Sequence, residues 1–477
     1  MDLLQVKGHQ ITNRAGQPVR LRGTCIGGWM NMENFINGYT GSEHTLRATL
    51  SDILGPSKSQ FFFDRMLDYL FSEDDVAFIK SLGATVVRLP LNYRHFESDA
   101  QPFRYLESGF QRLNQVLAWC QKHGVYAILD LHAAQGNQNP DWHSDNGNRQ
   151  SNFWQHPHFQ DRFVALWEEF ARRYNGSTVV AGYNVLNEPI CNIWDGRIDN
   201  SYKTNWDLIN GVYRRVVNAI RAIDPEHIIF LEGDYLSSRF IGLEAPFADN
   251  LVYSSHNYIE PLQFSNNYPG TNGGEYWDRA RQEKAFLQAE GTQFTREHNV
   301  PLWVGEFGPV FFGPNADLAS RSRVLNDQID VIDANGSHWT TWTYKDIGVM
   351  SWVYLNPESE YMQITKNFLK NKEDLGTDFW FSGLPSTPAK QTIRQLASIL
   401  QETLCDENMD WNANAMYLQQ SVASVFIGQV MQAPYARLFK GMSETELDRV
   451  LQSFALKNCL RNEGVIEAVR KHTSLPA

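Results

Sequence analysis

The chain has 477 residues, 42% hydrophobic and 13% aromatic, with a formal net charge of −12 and a pI near 5.6. That size and apolar content suit a large α/β barrel with added loops, and the acidic balance argues against nucleic acid, whose phosphates require a basic surface. The five cysteines lie far apart with no Cys-x-x-Cys pair, which excludes a disulfide framework and a cysteine zinc site.

The first residues, MDLLQVKGHQ, hold no apolar run of signal-peptide length, and no later stretch is apolar enough to span a bilayer. A cytoplasmic enzyme is the simplest expectation. QITNRAGQPVRL, from Gln10, reads as an N-terminal hairpin closing the bottom of a barrel. Eight short apolar runs follow, at residues 19–26, 84–90, 125–132, 180–188, 227–233, 251–258, 301–308 and 338–345. They are near-continuous rather than alternating, as parallel strands covered on both faces require. Between them lie helical patterns such as FQRLNQVLAWCQKHG and FQDRFVALWEEFARRYNG, each ending in a glycine suited to a helix C-terminus. Eight strands alternating with helices predict an α/β fold, a (β/α)8 TIM barrel over residues 1–404.

Residues 29–75, after the first strand, read as a long loop over the active face. Residues 405–477 read as a C-terminal helical extension packed on the barrel. There, SETELDRVLQSFALKN opens with a capping-box pattern, Ser443 to Glu446, and places Leu447, Val450, Leu451 and Phe454 on one face.

In such a barrel the chemistry belongs at the C-terminal ends of the strands. Those ends carry Arg88, His132, Asn187-Glu188, His256 with Tyr258, Glu306, and Trp342 with Lys345. Two are carboxylates, Glu188 ending the fourth strand and Glu306 the seventh. Glycoside hydrolysis needs two carboxyl groups flanking the bond, one to protonate the leaving oxygen and one to attack the anomeric carbon. Arg88 and Tyr258 are the groups expected to hold Glu306 ionised, while Glu188, facing an anion, is expected to titrate upward. Asn187 suits a hydrogen bond to the sugar 2-hydroxyl. Trp342 offers an aromatic face for the C–H surface of a pyranose.

Other clusters carry less. Residues 141–158 hold three histidines and two aspartates but lack metal-site spacing, so no metal and no cofactor is expected. Trp142 and Trp154 in that stretch are either sugar platforms or packing. Glu232 and Asp234, after the fifth strand, stay unassigned.

Taken together, these motifs resemble glycoside hydrolase family 5, in the clan of retaining (β/α)8 enzymes. The motifs are NEP at residues 187–189, GEFG at 305–308, VVRLPLNYRHF around Arg88 and DLHAAQGNQN around His132. The resemblance implies that Glu188 is the acid/base and Glu306 the nucleophile. It also implies that Arg88, His132, Asn187, His256, Tyr258 and Trp342 surround the sugar at the cleaved bond. A narrower likeness is to the exo-β-1,3-glucanase branch, through GGWMNMEN, GNQNPDWHSDNGN and WTYKD. In that branch the acid matching Glu33 holds the non-reducing-end sugar, which implies an exo mode.

The expected function is therefore a retaining exo-acting β-glycosidase on a carbohydrate substrate, of β-glucosidase or exo-β-glucanase type. An endo-glycanase or β-mannosidase of the same fold, a carbohydrate-binding barrel without turnover, and a metal-dependent hydrolase stand as alternatives.

Overall fold

Strands rich in branched and aromatic residues, buried on both faces, need helices on the outside and each other on the inside. The computed structural model, described for residues 1–192, 202–313, 315–377 and 387–474, resolves that need by closure. Its barrel strands are β1 (Arg22–Cys25), β2 (Val86–Asn92), β3 (Tyr126–Ala133), β4 (Val180–Asn184), β5 (Ile228–Glu232), β6 (Leu251–His256), β7 (Leu302–Glu306) and β8 (His338–Thr341). They pair in parallel in chain order, and β8 returns to β1.

The barrel's lower end is plugged by the N-terminal segment. Gln5–Lys7 pairs antiparallel with Gln10–Thr12, and Leu4, Ile11 and Leu21 pack against Val86, Ile128, Ile228, Phe230 and Trp303. The outer helices bury one stripe each. In Pro157–Tyr174 that stripe is Phe163, Leu166, Trp167 and Phe170, at helical spacing. Glu107–His123 stops at Gly124, whose φ of 66° is the left-handed C-cap that favours glycine.

The connection after β1 is long, as expected, but it is largely helical rather than irregular. It folds into Asn34–Asn37, Glu43–Leu54, Pro56–Leu70 and Glu73–Ser81. Its apolar residues (Leu46, Leu50, Phe62, Phe63, Met66, Leu70) recur at helical spacing and are buried. They meet the C-terminal helices: Gly428–Arg437 lies on Glu43–Leu54, and Glu444–Leu451 lies on Pro56–Leu70. Ser443 and Glu446 form the capping box at the start of Glu444–Leu451. Met431, Tyr435, Phe439, Leu447, Val450, Leu451 and Phe454 share one apolar core with the helices after β1.

The ends of the fourth and eighth strands differ most from the sequence expectation. The fourth strand stops at Asn184, so Asn187 and Glu188 stand on the loop beyond it. The eighth stops at Thr341, and Lys345–Asp346 joins a separate small sheet with Val353–Leu355 and Cys459–Arg461. Lys345 is fully buried there, 2.7 Å from Asp75, so it serves packing and not the barrel mouth. No helix among the described residues is long and apolar enough to cross a membrane.

Candidate active site

The strand register places the candidate groups. His256 ends β6 directly opposite Glu306, which ends β7. Gly305, just before that glutamate, carries no side chain because a Cβ there would come within 3.1 Å of the His256 ring and 2.8 Å of Ser254 Oγ. Arg88 projects from β2 toward the same place. Glu188 reaches it from a loop residue with φ of 46°, a left-handed backbone that costs a non-glycine residue about 1–2 kcal/mol. Such strain persists where the surroundings hold the residue in place. Here Glu188 N–H donates to Glu232 Oε2 at 2.8 Å, and its carbonyl accepts from Asn139 Nδ2 at 3.0 Å.

Around Glu306 the expected contacts are present. Arg88 Nη1 donates to its Oε1 at 2.5 Å, and the Tyr258 hydroxyl donates to its Oε2 at 2.9 Å. Arg88 is wholly buried and also lies 3.2 Å from both Asp130 and Glu232. Its remaining N–H groups donate to Asn184 Oδ1 at 3.1 Å and Asn187 Oδ1 at 2.7 Å. Burial opposes its charge, but the carboxylates around it outweigh that, and its pKa lies well above the ordinary value. One guanidinium thus ties the ends of β2, β3, β4, β5 and β7 together.

Glu188 differs from the expectation. Its Oε1 lies 2.6 Å from His256 Nδ1, and its Oε2 lies 3.0 Å from His143 Nε2. Burial pushes this carboxyl up, but the charges and hydrogen bonds of the two imidazoles hold it well below the usual carboxylate range. The sequence expectation, which weighed burial and the anionic partner Glu306 but no imidazole, was the opposite direction. His256 supplies the reason. Burial opposes its protonation, yet Glu306, Glu232 and Glu188 together raise its pKa well above 6.5. A carboxylate oxygen of each glutamate lies within 4.8 Å of the other and of a His256 nitrogen.

The third part of the site joins His132, Glu33 and Trp342. His132 Nδ1 lies 2.8 Å from Asp130 and its Nε2 lies 3.3 Å from Glu33 Oε1. Burial opposes its charge, but Asp130 and Glu33 push its pKa up to about 10. Its other neighbour is the Asn187 amide, 3.3 Å from Nε2. Glu33 is buried, and burial raises its carboxyl despite His132. The Trp342 indole lies parallel to the His132 ring with centroids 5.4 Å apart. All nine candidate residues therefore converge on one nearly closed well, where Glu188 is 9% exposed and Glu306 4%.

Three members were not among the candidates read from the sequence, Asp130, His143 and Asn184, and a fourth, Glu232, was noted there without a role. Asp130 and Glu232 carried a signal, since each is an acid at the C-terminal end of a barrel strand. His143 had none, because it sits on an irregular turn, Trp142–Ser144. Of the neighbouring tryptophans, Trp154 is packed, donating to Gln138 O and meeting Phe153 edge-on, while Trp142 is buried with its ring edge-on to His143. Asp234 lies outside the well, accepting from Cys191 N–H and the Tyr202 hydroxyl.

A family model, Cellulase (glycosyl hydrolase family 5), matches residues 60–348. A β-xylosidase from Phanerodontia chrysosporium is 36% identical over 499 aligned positions, which cover 100% of this chain and 99% of that protein. A probable glucan 1,3-β-glucosidase A from Aspergillus fumigatus is 24% identical, over 70% of this chain and 84% of its own length. Among solved structures, an endogalactoceramidase superposes with a TM-score of 0.52 at 18% identity, covering 72% of this chain and 75% of its own. That likeness concerns the fold alone.

Proposed function

The chain belongs to glycosyl hydrolase family 5, and within that family of retaining glycoside hydrolases we propose that it is an exo-acting β-glycosidase releasing one sugar per cleavage. The observation that carries the exo mode is the position of Glu33. This buried acid, 3.3 Å from His132, stands in the same well as Glu188 and Glu306. Its Oε1 has His132 Nε2 beside it at 3.3 Å but no well-aligned hydrogen bond, which leaves it acceptor capacity for sugar hydroxyls and sets it to block a longer chain at that end.

In this reading Glu306 attacks the anomeric carbon while Glu188 protonates the leaving oxygen. Water then releases the sugar with Glu188 as base. Arg88 and Tyr258 keep the nucleophile ionised and aimed, and Asn187 takes the 2-hydroxyl. Carboxyl groups roughly 5–5.5 Å apart suit this double displacement, and the contact within 4.8 Å supports it. The full-length relative named a β-xylosidase makes β-xylosides the substrates to try first, with β-glucosides beside them. All five cysteines are unpaired, which supports a cytoplasmic location as part of the same proposal.

The test is a panel of aryl β-glycosides with wild type and Glu306→Gly supplied with azide. A stable glycosyl azide of inverted configuration, together with monosaccharide as the first product from oligosaccharides, is the expected result. Mixed oligomers as first products overturn the exo mode, and azide-insensitive turnover overturns the role of Glu306.

A further inference from the structure

Glu188 must carry a proton when the glycosidic bond breaks, yet two imidazoles hold its carboxyl in the ionised form. A resolution lies in His143, and it rests on the reading of Glu188 as the acid/base. The turn that carries His143 is anchored, its backbone carbonyl accepting from Asn31 Nδ2 at 3.0 Å. Its Nε2 has two partners with opposite demands. Glu188 Oε2, at 3.0 Å, is best served by an N–H. Asn139 Nδ2, at 2.8 Å, brings an N–H of its own and needs a lone pair.

Asn139 has no freedom to turn over. Its Nδ2 donates to Glu188 O at 3.0 Å and its Oδ1 accepts from Asp141 N–H at 3.0 Å, and a flipped amide loses both bonds. One nitrogen cannot satisfy both neighbours at once. A protonated His143 serves an ionised Glu188, and a neutral His143 serves Asn139.

We propose that His143 is a positioning residue that stores the proton of the acid/base, so that the Glu188–His143 pair holds one proton between them. In the resting enzyme that proton sits on His143 Nε2 and is donated to Glu188 Oε2. When a leaving oxygen approaches, the proton passes to Oε2, and the imidazole lone pair accepts the Asn139 N–H. The proton then moves to the glycosidic oxygen as the C1–O bond breaks and Glu306 bonds to C1. In the second step water adds to C1, the C1–Glu306 bond breaks, and the water's proton returns through Glu188 to His143. The groups facing His143 fit this storage role. Burial opposes its charge, while Glu188, Asp141 and Glu33 raise it, and the His132 ring lies 6.0 Å away.

The experiment is the pH profile of kcat/KM on a disaccharide, whose poor leaving group requires the acid. In wild type the alkaline limb reports loss of the pair's shared proton. In His143→Ala that proton resides on Glu188 alone, which His256 keeps acidic. The limb is then expected at lower pH by about one unit or more. His143→Gln, which retains an N–H donor but does not ionise, is expected to shift the limb equally. A lower profile with an unmoved limb is the signature of a merely structural residue and overturns the proposal. An independent readout on the intact wild type is the imidazole nitrogen NMR shift of His143, expected to show protonation persisting above pH 6.5, and lower in Glu188→Gln. A ring that is neutral across the active pH range also overturns it. If Glu188→Gln cleaves the disaccharide as fast as wild type, the acid/base reading itself has failed. If Glu188→Gln is inactive while the limb stays put in the His143 variants, only the role of His143 has.

Discussion

His256 stands opposite Glu306 across the β6–β7 ladder, yet its Nδ1 lies closer to Glu188, 2.6 Å against 3.7 Å. One cationic ring therefore sits between the two carboxylates of the site and screens each from the other. Without it, two ionised glutamates in a nearly closed well would repel strongly, since burial lowers the effective dielectric.

The histidines should set the alkaline side of the stability profile. His132 and His256 both have folded-state pKa values above their unfolded value near 6.5. Their contribution is complete below about pH 6.5 and is lost as pH rises through the folded value, about 10 for His132. The melting temperature should fall by a few degrees between pH 7 and 10, and by less in His132→Asn. Calorimetry at fixed ionic strength checks this, and an unchanged slope in the variant contradicts it.

Glu188 and Glu232 set the acid side with the opposite sign. Both are held below the ordinary carboxylate range, Glu188 chiefly against burial by His256 and His143. Their stabilisation is present above about pH 4.5 and is lost as pH falls through the lower folded values. Glu188→Gln should flatten the melting profile below pH 4.5, which a pH series of thermal melts reads directly.

Arg88 is the charge that the buried acids depend on. Removing one partner of a buried pair leaves the others uncompensated and costs about 3–5 kcal/mol. Arg88→Met should therefore lower the unfolding free energy by that order in a urea titration, and abolish turnover. A variant as stable as wild type would show that water replaces the guanidinium.

If Glu33 binds the terminal sugar, Glu33→Ala should lose hydrogen bonds from a charged acceptor. That is worth about 1.5–3 kcal/mol, or roughly 10–100-fold in kcat/KM. The same variant should begin to release products longer than one sugar, because the blocking acid is gone. Chromatography of early products from a xylo- or gluco-oligosaccharide decides it.

The C-terminal half reaches this acid indirectly. Glu33 occupies the N-cap position of the short helix Asn34–Asn37, its side chain making no cap bond. The buried Lys372 ammonium donates to Asn34 O at 2.9 Å, and the Tyr361 hydroxyl donates to Asn37 O at 2.5 Å. Lys372→Met should free a buried carbonyl, cost about 1–3 kcal/mol, and raise KM several-fold with little change in kcat. The exposed Lys370, paired within its helix to Asp374, is the control, and Lys370→Met should do neither.

Much of the frame was legible before any coordinates. Strand periodicity and strand-end position are local properties, so the eight runs, Glu188, Glu306 and the groups beside Arg88 and His132 could be read in order. The region after β1 was less legible, because its helices bury their faces against residues some 380 positions away, such as Tyr69 against Asp448. His143 was legible least of all. Its turn has no repeat, and its importance comes from a contact with a residue on another strand's loop.

The sequence alone determined the barrel and the pair of acids at its mouth, since alternating short strands and helices admit few closed arrangements and strand ends must open onto one face. Only the tertiary structure decided the protonation of that pair. His143, His256 and Glu232 approach Glu188 from three separate segments, and in a buried well the charge of an acid follows its nearest neighbours in space, not those in the chain.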